Sequence, residues 1–161
     1  MVDGRELARA LTAVVEETAA KMLEIPDDVA GRPRAPGKWS RKEIVGHLID
    51  SAVNNQLRFV RAQMQADLVF PGYDQEAWVR IQRYQERPWP ELVQAWRTYN
   101  AQVASIMRTA APAQIERARS PHNLDQIGFR PLPADTDATL GFLMRDYIEH
   151  LQHHIAQVLG P

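Results

Sequence analysis

Apolar residues recur at helical spacing in four long stretches. Leu7, Leu11, Val14, Val15, Thr18, Ala19 and Met22 stand three and four apart, which predicts an amphipathic helix over residues 3–23. Ser40 and Glu43 form an S-x-x-E capping box, and Ile44, Val45, Leu48, Ala52 and Phe59 give the helix it opens a buried side that carries to about Ala66. Leu92, Val93, Trp96, Tyr99, Val103, Ile106 and Met107 predict a third helix over 90–109. Leu140, Leu143, Tyr147, Leu151 and Val158 predict a fourth, capped by Thr136 or Asp137 and ending at Leu159. A shorter helix is expected from Gln75 to Gln85, capped by Asp74, with Trp78 and Ile81 facing inward. Pro26, residues 31–37, the 70–73 turn and Pro88 separate these elements. Residues 111–137 hold four prolines and little periodicity, so they read as a long loop with room for a short helix or hairpin. The pattern predicts an all-α chain: a four-helix bundle with one short extra helix, a long loop before the last helix, and a single domain over 1–161.

Composition narrows the function. At 161 residues the chain is long enough for one sizeable core. A formal net charge of −1, with no arm or face dominated by Lys and Arg, gives no electrostatic reason for nucleic acid or an anionic membrane to bind. The absence of cysteine excludes disulfides, thiolate ligands and a cysteine nucleophile, so any metal site must use His, Asp or Glu. The N-terminal MVDGRELARAL lacks the layout of a signal peptide, and no apolar run approaches the roughly 20 residues of a membrane span. A cytoplasmic location is the default expectation.

Three of the five histidines fall within Asp146 to Gln157. His150 and His154 are four apart, one turn of helix, and border the apolar arc. His153 groups with Asp146, Glu149 and Gln157 in a polar strip expected to face water. On the second helix, His47, Ser51, Asn54 and Arg58 follow one another at steps of four, three and four. Such a stripe either lines an internal cleft or faces solvent, and spacing leaves both open. An imidazole bordering a core needs a partner. His47 with His150 and His154 makes a workable three-histidine set for a divalent cation with a vacant position; zinc, nickel, iron and manganese all fit the ligand type. Asp50 is a candidate for orienting a ligand or acting as a base, against the plainer reading of a solvated charge. Arg58 is a candidate for clamping an anionic substrate group, against a structural ion pair with the third or last helix. His122 reads as an ordinary loop residue.

The run Pro36-Gly37-Lys38-Trp39-Ser40, then Gly46-His47-Leu48-Ile49-Asp50-Ser51, Asn54 and Arg58-Phe59, with Tyr73-Asp74, Ala77-Trp78 and the cluster His150, His153, His154, resembles the DinB/YfiT-like metalloenzymes. It is most similar to the YfiT-type branch described as metal-dependent hydrolases. The resemblance covers nearly the whole chain and weakens between about Ala111 and Asp137. It implies a four-helix bundle, a nickel or zinc ion on His47, His150 and His154, and a homodimer. It implies a small-molecule substrate attacked by activated water, or by a low-molecular-weight thiol such as bacillithiol or mycothiol. A non-catalytic metal- or ligand-binding stress protein remains the alternative.

Overall fold

Four long helices form where the apolar spacing predicts them. The computed structural model describes residues 2–160. The first long helix, α1 (Gly4–Leu23), starts at Asp3, whose side chain accepts from the Arg5 amide. A short α2 (Asp27–Ala30) follows. The second long helix, α3 (Arg41–Ala62), opens on the Ser40–Glu43 capping box with both reciprocal bonds made. The others are α5 (Trp89–Thr109), with Pro90 in its first turn, and α8 (Leu140–Leu159). α1 and α3 each pack against both α5 and α8. Leu11, Met22, Leu48, Phe59, Trp96 and Leu151 are fully excluded from solvent between them. Among the described residues there are isolated β-bridges and no strands, and no helix is long and apolar enough to cross a membrane.

Several boundaries differ from the sequence expectation. α3 stops at Ala62, four residues short of Ala66. The buried Arg119 donates to the Ala62 carbonyl at 3.0 Å, satisfying one of the carbonyls a helix end leaves free. The chain then turns so that Leu68 pairs with the Pro121–Asn123 backbone. The shorter helix, α4 (Gln75–Gln82), ends three residues early at Arg83, whose φ of 54° is left-handed. A 3-10 turn over Tyr84–Glu86 follows. α4 packs through Val79; Ile81, expected inside, is 72% exposed. Tyr99 also lies largely outside the α5 core stripe. Thr139, not Thr136 or Asp137, caps α8 by accepting from the Phe142 amide.

The 111–137 segment is more ordered than its prolines suggest. It contains α6 (Pro112–Glu116) and α7 (Leu124–Ile127). Arg119 and Ala138 exchange backbone hydrogen bonds at 2.8 and 3.0 Å. His122 ties the segment together: its Nε2–H donates to the Thr136 carbonyl at 2.7 Å, and its Nδ1 accepts from the Leu124 amide at 3.2 Å.

Candidate metal centre

His47 lies in the second turn of α3 on the side that meets α8, and is completely buried. His150 and His154 come from successive turns of α8 and are partly buried. The three rings converge edge to face, with centroids 5.2 Å (His47–His150), 4.8 Å (His47–His154) and 4.6 Å (His150–His154) apart. One nitrogen from each lies within 4.8 Å of the others. His47 Nε2 is 3.2 Å from His150 Nε2. Nitrogens bound tetrahedrally at zinc distances are separated by roughly 3.3 Å, so the spacing suits a shared cation. A hydrogen bond between two neutral imidazoles explains that one distance but not the third ring.

The partners around the cluster set which nitrogens point inward. Ser51 Oγ lies 3.4 Å from His150 Nδ1, and Gln157 Oε1 lies 2.9 Å from His154 Nδ1. With Nδ1–H donating to oxygen in both, each Nε2 lone pair is free, the arrangement by which outer groups orient metal-ligating histidines. His47 Nδ1 is buried with no hydrogen-bond partner among the described residues. That ring is held only by packing, including Trp39 at 5.4 Å, and through Nε2 at the cluster. Burial lowers the pKa of His47 to about 4 and of His150 to about 3, with the neighbouring imidazoles adding to the shift. His154 is lowered for the same first reason. All three are neutral at pH 7, the form a metal requires.

The cluster opens into a cleft of about 370 Å³ walled by α3, the 72–75 turn, the 126–129 segment and α8. Arg58 lines it and is 8% exposed. Its Nη2 donates to the Pro71 carbonyl at 3.3 Å, and it forms no ion pair among the described residues, so the structural ion pair weighed from sequence is not made. Of the two placements the α3 stripe left open, Ser51 and Arg58 take the cleft, but Asn55 joins them in place of Asn54, which bonds back to the Asp50 carbonyl.

Asp50 is buried and does not line the cleft. Its Oδ1 accepts from the Tyr84 hydroxyl at 2.6 Å and from Gln82 Nε2 at 2.5 Å. Tyr84 reaches it because Gly46 has no side chain: a Cβ there would lie 2.1 Å from the tyrosine ring. His153 is exposed at the rim, beside Phe129, and stays outside the cluster. The polar strip on α8 does not simply face water. Asp146 is buried in the cleft wall and accepts from the Phe129 and Arg130 amides at 2.9 and 2.6 Å. Its spacing of four from His150 was the signal for this placement, whereas Phe129, in a loop without periodicity, gave none.

The class so defined is a helical bundle whose two facing helices bring together three imidazoles able to hold a cation, with His150 and His154 lining a cleft. Residues 9–158 match the family model of the DinB superfamily, and the chain belongs to that family. It is 24% identical over 149 residues to a Bacillus subtilis protein named "Putative metal-dependent hydrolase YfiT", covering 90% of this chain and 78% of that one. A similarly named Bacillus cereus protein is 26% identical over 76 residues, 47% of this chain and 40% of its own length. The solved structure of Bacillus subtilis YfiT, described as having an unusual four-helix bundle topology, superposes with a TM-score of 0.77. That match covers 96% of this chain and 83% of YfiT at 19% identity, and it bears on the fold alone.

Proposed function

We propose that this chain is a metal-dependent hydrolase acting on a small molecule, with His47, His150 and His154 holding one divalent cation. The observation that carries the reading is the meeting of three neutral imidazoles from α3 and α8, within 4.8 Å, two of them lining a cleft. Three nitrogen ligands leave a vacant position, as catalytic zinc sites do. When bound, such a cation supplies a Lewis acid that makes water a usable nucleophile near neutral pH. Zinc or nickel suits an all-imidazole set; iron or manganese also fits.

The chain's own residues fix the site. Ser51 and Gln157 hold His150 and His154 in the tautomer that presents Nε2. Asp50, tied to Tyr84 and Gln82, anchors the turn of α3 that carries His47, and so acts as a positioning residue without touching substrate. Tyr73 and Phe129 wall the cleft.

Protein purified without a histidine tag should contain about one divalent ion per chain by elemental analysis. His150→Ala should contain almost none while keeping its helical circular dichroism. Full metal content in that variant would end the reading. A panel of esters and amides, with and without chelator, then tests hydrolysis. If the loaded protein instead joins a low-molecular-weight thiol to an electrophile, the nucleophile is the thiol; if neither reaction occurs, the protein is a metal-binding module.

A further inference from the structure

Arg58 is a buried cation that the fold leaves largely unspent. A guanidinium carries five N–H donors and stays charged in proteins. Here a single hydrogen bond, to the Pro71 carbonyl at 3.3 Å, is made from a side chain that faces the cleft of His150 and His154. Tyr73 faces the same cleft, and its hydroxyl bonds to no protein group among the described residues. Burial raises its pKa to about 12, so its O–H is a donor at neutral pH. Asp146 favours the charged guanidinium from a distance but makes no ion pair or hydrogen bond with it; its oxygens accept from the Phe129 and Arg130 amides instead. Desolvating a charge and leaving it without a partner is costly, and an incoming anion is what would recover that cost.

We infer that the cleft binds a small monoanionic carboxylate through Arg58 and the Tyr73 hydroxyl, with the rest of the molecule extending toward His150 and His154; the orientation rests on the hydrolase reading above. The fork of Arg58 matches a planar carboxylate with two parallel donors. Asp146 in the same wall opposes a second negative charge, which selects a monoanion over a dianionic phosphate. The cleft's volume of about 370 Å³ lies at the small end of ligand sites.

Monomethyl succinate, dimethyl succinate and inorganic phosphate are suitable probes, titrated by calorimetry into metal-loaded protein and again after chelation. The monoester should bind in both forms, at least tenfold more tightly than the uncharged diester. Arg58→Gln should weaken the monoester about tenfold or more and leave the diester unchanged. Arg58→Lys, which keeps the charge and so protects folding, should still lose several-fold because the fork is gone. Tyr73→Phe should lose a few-fold. Equal binding of the monoester by wild type and both Arg58 variants would overturn the assignment, as would a diester that binds as well as the monoester. Tighter binding of phosphate than of the monoester would overturn the carboxylate class. If Arg58→Gln does not fold, the ester pair on wild type and Arg58→Lys still decide. The chelated arm separates this inference from the hydrolase reading. Monoester binding that survives chelation supports the subsite even where His150→Ala fails its metal test. A metal-replete protein indifferent to Arg58 sinks the subsite alone.

Discussion

Gly46 shows how one absent side chain controls a site it does not touch. The Tyr84 ring fills the space where its Cβ would be, and the Tyr84 hydroxyl then reaches Asp50 one turn along the helix. Gly46→Ala should therefore destabilise the protein by about 1–3 kcal/mol through overpacking, read as a lower midpoint in urea unfolding. The histidines give a pH dependence of defined sign. Their folded-state pKa values, about 4 for His47 and about 3 for His150, lie below the ordinary imidazole value near 6.5. As pH falls below 6.5 the unfolded chain binds the extra protons first. Stability present at neutral pH is thus lost progressively between about pH 6.5 and pH 3 to 4. Chelator-treated protein should show its urea midpoint falling across that window, and His47→Gln should flatten part of the fall. At this scale the sequence showed which residue types were available and which shared a stripe. It could not show that Asp50 turns to Tyr84, because that contact depends on a 3-10 turn more than 30 residues away.

Where an element carries its own signal, its start was readable. The Ser40–Glu43 box forms as written, and Asp3 and Asp74 cap α1 and α4. The start of α8 was placed two or three residues early because Thr136, Asp137 and Thr139 all satisfy the cap chemistry. The choice was made elsewhere: Ala138 pairs with Arg119 and Thr136 receives His122, which holds residues 136–138 out of the helix. Thr139→Ala should cost about 0.5–2 kcal/mol, measured by thermal or urea unfolding. The 111–137 segment was opaque for the same reason. Its order comes from long-range bonds to α3 and α8, and such bonds leave no periodicity in the chain.

The bundle and the three-histidine set were legible as a whole because four apolar stripes and three histidine positions carry most of the information. The homodimer implied by the family resemblance is a matter for measurement. Leu57 and Val60 on α3, with Met64 just beyond its end, are exposed apolar residues. We propose that a second copy covers them. Sedimentation equilibrium should give twice the chain mass, and Leu57→Glu should reduce it to one. Removing metal should lower the melting temperature of the wild type. A ligand that binds only the folded state at 100 times its Kd contributes about 2.7 kcal/mol, and His150→Ala should show no such difference.

His47 and His150 stand 103 positions apart in the chain. No fragment emerging from a ribosome can assemble the cluster until α8 has been synthesised and has docked against α3. Cation capture would then wait on the docking of α8: a chain made only as far as α5 would lack two of the three imidazoles, and a loaded molecule would be one in which α3 and α8 have met.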